Sequence, residues 1–564
     1  MGSLLDYRFD IGWAKVREQV KKEKGYNMTF RKQVREVLKG EWGVYTRDEY
    51  SDKIMANIQY YHEKNKTNTS VDDITWNDLN MDAVFKSMNH TRTSAGEEHL
   101  YHMLRSPVFS EEELLRRERV IKSIQEQEDA RNDLELALYD IGKVDKISVY
   151  EYLSELKALP KVSKWPHIMA ALLLIAGIVM LFFTSTGFLF VLFFLMGANA
   201  YFYYKKKAEV LQAIALFSFI LGTIRQSGSF IKIKLEGCEE YFLRLKTLSD
   251  KFRVFCRFRF LVSGGSSMSG NLLDSILDYI RILFHVDLIK LSTMIREVQK
   301  YETELLELYD IIGFLDSMLA VASYREMIET YTIPSFFQVD GEKGIQNMTA
   351  RGIYHPLLSR PVKNDFHTKK CMLLTGSNAS GKSTFIKTVA VNALFAQTIH
   401  TVLADFYEAC FYRIYSSMAL RDNILSEESY FIVEIKSLKR IFEKTKEPGA
   451  PVLCFIDEIL RGTNTVERVA ASSELLEALS KENAMCFAAT HDIELTYLLK
   501  DSFENYHFTE RIQDEDILFD YLLKEGRADS RNAIRLLSMI GFDKKLAESA
   551  GKRVETFLAE GIWR

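Results

Sequence analysis

The residues best placed to do chemistry lie in three short runs of the C-terminal half. In KCMLLTGSNASGKSTFIKTVAVNALFA, Gly376 and Gly381 frame four residues, and Lys382 and Ser383 follow. This is the pattern G-x-x-x-x-G-K-[ST]. Glycines let a backbone wrap a phosphate, and the N–H groups of the turn and of the helix after it face the anion. Gly376, Ser377, Asn378, Ala379, Ser380, Gly381, Lys382, Ser383 and Thr384 are therefore expected to hold the phosphates of a nucleotide. Lys382 should reach the β and γ phosphates, and the Ser383 hydroxyl should bind Mg²⁺. Some 75 residues on, PVLCFIDEILRGTNT ends an apolar run on Asp457 and Glu458. Asp457 suits a Mg²⁺ contact, and Glu458 suits polarising the attacking water. MCFAATHDIEL then ends another apolar run near His491, which can sense or stabilise the γ-phosphate.

These side chains need elements to carry them. From about residue 345 short apolar runs (MLLTG, VLCFID, MCFAAT) alternate with helical stretches, the pattern of a mostly parallel sheet with crossover helices. Strand ends in such a sheet deliver residues to one ligand-binding edge. The first half reads as helices, as in LLRRERVIKSIQEQ, LELALYDIGKV and the long stretch from NLLDSILDYIRILF to LDSMLAVASYRE. SGGSSMSG (263–270) interrupts them as a turn. KFRVFCRFRF before it alternates basic and aromatic residues, either a nucleic-acid clamp or a strand with one buried face. The basic stretch VREQVKKEKGYNMTFRKQVREVLKG is a solvated amphipathic helix or a contact for nucleic acid or anionic lipid.

Composition sets the bounds. The chain has 564 residues, 73 Lys plus Arg against 77 Asp plus Glu, and a net charge of −4. With 47% hydrophobic and 27% charged residues it is neither disordered nor a basic nucleic-acid coat. No C-x-x-C pair occurs among the six cysteines, and Cys371, Cys454 and Cys486 sit in apolar runs, so buried reduced thiols are expected rather than disulfides or zinc. No charged leader and apolar core open the sequence, so no secretory signal is expected.

One segment departs from this average. The 40 residues between Lys164 and Lys205 contain no Asp, Glu, Lys or Arg and split at Thr184-Ser185-Thr186-Gly187. Each half approaches the ~20 residues a helix needs to cross a bilayer. Trp165 and a Tyr cluster bracket the run, and lysines flank both ends. A two-helix transmembrane hairpin with both flanks, the phosphate-binding half and both termini in the cytoplasm is expected, at the cell membrane. The alternative is a helical hairpin buried in a large domain. Asn199 either bonds a partner helix or faces the interface.

Taken in order, these motifs resemble the MutS family of ATPases, relatives of the ABC-type ATPases. The family's G-P-N-M-G-G-K-S-T is GSNASGKST here, D-E-x-G-R-G-T-S-T is DEILRGTNT, A-T-H-Y-x-E-L-T is ATHDIELT, and S-T-F-M-V-E-M is SYFIVEI from Ser429. Its H-P and N-x-L landmarks look like His355-Pro356 and Asn364, and its core-domain T-x-T-x-x-G falls at Thr91, Thr93 and Gly96. The resemblance covers residues 80–160 and 300–540. It implies a homodimer with composite sites, in which Ser429 reaches the γ-phosphate in trans and RGTNT (Arg461 to Thr465) lines the interface. It also implies an aromatic or His against adenine, here Tyr521. Leu460 stands where the family has Gly, and Ser377 where it has Pro.

The implied fold class is multidomain α and α/β. An N-terminal polar region (1–78) precedes a helical core (79–164 and 205–340) interrupted by the hairpin (165–204), and a P-loop ATPase domain with a C-terminal dimerisation segment (341–564) follows. With the core starting near residue 80, the family's N-terminal mismatch-binding and connector domains are expected to be missing. The expected function is ATP hydrolysis coupled to double-stranded or branched DNA. An ATP-switched scaffold for a membrane or defence partner is the alternative. An ABC-type transporter fits poorly, because VSGGSS (262–267) precedes the P-loop and two spans make no translocation path.

Overall fold

The computed structural model describes residues 27–44, 46, 50–144, 148–154, 163–181, 183, 188–252, 279–337, 346–377, 380–418, 430–461, 463–513, 516–528 and 542–560. Ser429, Asn378, Ala379, the hairpin turn, SGGSSMSG and nearly all of KFRVFCRFRF lie outside these residues. The chain forms two compact units. They divide it differently from the sequence boundaries: Lys66–Met88 and Met103–Glu118 belong with Ile328–Arg564, and the remainder forms the other unit. Polar contacts explain the exchange. The Asp78 carboxylate accepts from Ser416 Oγ (2.7 Å) and Met418 N (3.0 Å), and Val108 N donates to Gln397 O (2.8 Å).

The first unit is helical. Its centre is the helix Glu302–Met327, whose residues from Leu305 to Arg325 are almost all buried, as an all-round apolar helix must be. Thr93 and Gly96 of the T-x-T-x-x-G run meet it. Thr93 caps the helix Ser94–Leu104 by accepting from Gly96 N (2.9 Å), and its hydroxyl donates to Asp316 Oδ2 (2.6 Å). Arg92 N (3.0 Å) and Thr93 N (2.7 Å) donate to the same carboxylate. Burial pushes Asp316 up to about 6, although these bonds pull it down.

The apolar run is not two equal spans. Trp165–Met180 is a 16-residue helix, and Phe188–Ser227 is one helix of 40 residues that continues through Lys205–Lys207. The expected boundary at residue 204 therefore falls inside a helix, because the lysines and the residues after them are good helix formers. Among the described residues one helix is long and apolar enough to cross a membrane, over Phe188–Lys207, and little of that stretch is buried. A pair of spanning helices is not established. The two helices do pack at Gly177, where an added Cβ would lie 3.3 Å from Leu195 and 3.4 Å from Leu192. Asn199 is buried and donates to Leu283 O (2.6 Å), so it bonds a partner helix.

The second unit holds the sheets. Strands β1 (Ser335–Phe336), β2 (Met348–Ile353), β3 (Asn364–Thr368) and β5 (Phe406–Ala409) form a four-stranded sheet in the order β1-β5-β2-β3. Strands β4 (Cys371–Thr375), β6 (Arg413–Ser417), β7 (Val452–Asp457), β8 (Ala484–Ala489), β9 (Phe503–His507) and β12 (Lys524–Glu525) form the main sheet, ordered β12-β9-β4-β8-β7-β6. It is parallel except for the edge strand β12. Strands β10 (Glu510–Gln513) and β11 (Asp516–Phe519) make an antiparallel hairpin. Residues of β4 and β8 are buried throughout, which accounts for their unbroken apolar sequence. Cys371, Cys454 and Cys486 meet in this core as free thiols, and burial pushes Cys371 up to about 12.

Candidate nucleotide site

The order of the main sheet assembles the site. Strand β4 ends on the P-loop, and the helix Lys382–Thr398 starts from it. Its neighbour β8 runs into Thr490 and His491, and β7, next to β8, ends on Asp457 and Glu458. All three sequence runs thus converge at one edge of a parallel sheet.

Two glycines shape the loop. Gly376 has φ +145°, and a Cβ there would lie 2.9 Å from both Phe508 O and Ser380 Oγ; Gly381 has φ +108° at the helix N-cap. Lys382 Nζ donates to Gly376 O and Ser377 O, both at 2.8 Å. Burial lowers Lys382 to about 8, although Glu458 and Asp457 pull it up. Ser377, in place of proline, donates its hydroxyl to Glu510 Oε2 (2.7 Å) on β10. Ser383 and Thr384 are exposed on the first helical turn. Ser380 Oγ and Asp457 Oδ1 are buried and have no hydrogen-bond partner among the described residues. Two orphaned oxygens, a glycine cradle and a helix N-terminus fit a magnesium–nucleotide complex.

Glu458 lies on a turn in the left-handed region, with φ +56°, and its N–H donates to Ala489 O (2.9 Å). Its carboxylate accepts from His491 Nε2 (3.0 Å) and pairs with Arg461. Burial pushes Glu458 up, but His491 and Arg461 outweigh it and hold the carboxyl below its usual range. His491 Nε2 also lies 3.4 Å from Lys382 Nζ. The loop carrying His491 is anchored next door, where Arg468 forms a two-pronged pair with Asp492 (2.9 and 2.6 Å).

Tyr521 closes another side, its ring 3.2 Å from the Cβ that a side chain at Gly381 would carry. Asn364 holds that segment by donating to Tyr521 O (3.1 Å) and accepting from Leu523 N (2.7 Å). Phe519 and Tyr521 stack at 5.9 Å. A cavity of about 510 Å³ runs between His355, Ser383, Glu458 and Tyr521, within the size range of small-molecule sites. Burial lowers His355 to about 4, so it lines the cavity as a neutral ring.

The expected residues Gly376, Ser377, Ser380, Gly381, Lys382, Ser383, Thr384, Asp457, Glu458, His491 and Tyr521 are therefore neighbours. Asn378, Ala379 and Ser429 fall outside the described residues. Arg461 turns onto Glu458 of its own chain, and Asn464 caps the helix Thr465–Ser480 by accepting from Glu467 N (3.0 Å). Sequence reasoning did not find Glu510 or the buried Glu434, whose carboxylate accepts from Leu460 N. Glu434 lies inside SYFIVEI, where an acid in an apolar run was the available signal.

Residues 372–558 match the family model of MutS domain V. Three DNA mismatch repair MutS proteins are among the similar proteins. Those of Thermotoga maritima (29% identical over 274 residues, 47% of this chain and 33% of the relative) and Pseudothermotoga lettingae (31% over 259, 44% and 30%) are two. That of Thermus thermophilus (30% over 262 residues, 45% and 31%) is the third. The chain spans about a third of the length of these curated relatives. Fold, site and similarity together make the C-terminal half a P-loop-type NTPase domain, an ATPase of the MutS domain V kind.

Proposed function

We propose that the whole chain is a membrane-tethered, MutS-like ATPase that hydrolyses ATP at composite sites of a homodimer and couples turnover to double-stranded or branched DNA. The observation that carries the chemistry is that Lys382 and Glu458 line a glycine-framed cavity, with His491 beside both. Lys382 and the helix N-terminus would attract the phosphates, and Tyr521 would lie against the base. Ser383 and Asp457 would hold Mg²⁺, which neutralises charge on the phosphates when bound. Glu458, kept ionised by Arg461 and His491, would orient and polarise the attacking water. Ser429 would complete the site of the other protomer. The exposed apolar helices Trp165–Met180 and Phe188–Lys207 support the tether, with both flanks in the cytoplasm.

The test is ATP turnover and DNA binding by detergent-purified protein. Glu458→Gln should keep nucleotide binding and lower turnover by about 10²–10⁴-fold. Duplex and branched DNA should bind at low salt and weaken steeply as salt rises. Turnover without DNA binding at low salt would remove the DNA part and leave an ATP-switched scaffold. Full activity in a strictly monomeric preparation would remove the composite site.

A further inference from the structure

We infer that Glu434 is a positioning residue for hydrolysis: by accepting the backbone N–H of Leu460 it fixes the turn that aims Glu458. The inference rests on reading Glu458 as the group that activates water. After β7 the backbone turns through two non-glycine residues in the left-handed region, Glu458 and Leu460, each with φ +56°. Each costs about 1–2 kcal/mol, so the surroundings must hold the turn. Glu458 N is held by Ala489 O at 2.9 Å. Leu460 is only 4% exposed, and its N–H finds a carboxylate from another element, Glu434 of the helix Tyr430–Thr445.

The acid is expensive where it sits. Glu434 is 5% exposed, and its Oε2 is buried without a hydrogen-bond partner among the described residues. Burial pushes it up, against the backbone N–H groups of Leu460 and Arg461 and the charge of Arg461. Ile459 and Leu460 pack with Leu438 and Phe431, so an apolar side chain at position 434 would have company. Such a replacement would remove the cost of burying the carboxylate but leave the buried Leu460 N–H without its acceptor. What it would lose is the acceptor that sets the turn. Glu458 and its partner Arg461 lie on either side of Leu460, so a shift there moves the base and the cation that orients it.

The experiment compares Glu434→Ala, Glu434→Asp and Glu434→Gln in the full-length protein, reading kcat, KM for Mg-ATP, affinity for a fluorescent ATP analogue and melting temperature. Glutamine keeps the reach and the acceptor; aspartate keeps the charge and falls one methylene short. Alanine and aspartate should lower kcat by about 10–100-fold with KM and analogue affinity within about threefold, and glutamine should stay close to wild type. Unchanged kcat in the alanine variant overturns the inference, as does an active aspartate variant beside an inactive glutamine one. A parallel fall of analogue affinity and melting temperature in all three also overturns it, because that marks a purely structural residue. Should alanine fail to fold, the aspartate–glutamine comparison still decides. A wild-type protein without turnover, or a Glu458→Gln variant as active as wild type, removes the underlying ATPase reading and this inference with it.

Discussion

At the scale of single residues, the site is a set of charges held in a partly dry place. Lys382 shows the consequence. Burial lowers it from 10.5 to about 8 in the free protein, so its proton is lost within reach of ordinary buffers. The folded state binds fewer protons than the unfolded chain between about 8 and 10.5, and this group's contribution to stability rises with pH across that window. Nucleotide affinity moves the other way, because the neutral amine no longer attracts phosphate. The association constant for an ATP analogue should be flat from pH 7 to about 8 and then fall, by up to tenfold per unit. Fluorescence titrations across pH 7–9.5 measure it, with Lys382→Met as the control that should bind weakly and without a slope. Equal slopes in both proteins would assign the effect to another group. Ser377 shows a different residue-scale effect. It replaces the family's proline, and its hydroxyl gains a carboxylate partner in Glu510. The spacing of glycine, lysine and serine was readable from sequence alone, whereas Glu510 was not, because its distance from the loop along the chain is closed only by the fold.

At the scale of elements, close packing explains motifs that carry no chemistry. A Cβ on Gly96 would lie 2.1 Å from Asp316 Oδ2, and one on Gly313 would lie 2.8 Å from Ala95 O. The helices Ser94–Leu104 and Glu302–Met327 touch backbone to backbone, and only glycine permits it. Gly96→Ala should therefore expel Asp316 from the N–H groups of Arg92 and Thr93, at about 3–5 kcal/mol. Far-UV circular dichroism should report an earlier thermal transition, and Asp316→Ala, which makes room but removes the acceptor, should not recover it. A Gly96→Ala melt that matches wild type would disprove the contact. Periodicity foretold these helices, and apolar runs foretold β4, β7 and β8, because burial writes both patterns into sequence. It did not foretell the four-stranded sheet, whose strands β2 and β3 are short and partly exposed. Nor did it foretell the left-handed turn at Leu460, whose available signal was that the leucine stands where the resembling motif has glycine. That conformation is imposed from outside, by Glu434 and by the core around the leucine side chain.

At the scale of the whole molecule, the question is which solvent the apolar helix meets. Phe190, Phe193 and Phe194 are 82%, 69% and 75% exposed on Phe188–Ser227, and Leu172, Leu173 and Met169 are exposed on Trp165–Met180. Fully burying one such side chain is worth about 1.5–3 kcal/mol, so these faces left in water would drive the protein onto any apolar surface. A bilayer is one such surface, and Trp165, Tyr201 and Tyr204, all exposed, are placed at the ends of the run where interfacial rings sit. Lys205, exposed beside them, attracts anionic headgroups as well, by about 1 kcal/mol, and salt screens that attraction. The two contributions separate by experiment. The full-length protein should float with vesicles of neutral phosphatidylcholine in 1 M salt, where only apolar insertion remains. Replacing Phe190, Phe193 and Phe194 together by serine should release it to the aqueous fraction without altering the melting of the ATPase unit. If flotation requires anionic lipid and disappears in high salt, the helix rests on the membrane by charge. If the wild type stays in solution as a monodisperse species, its apolar faces are covered by protein, and the tether is replaced by a helical assembly interface.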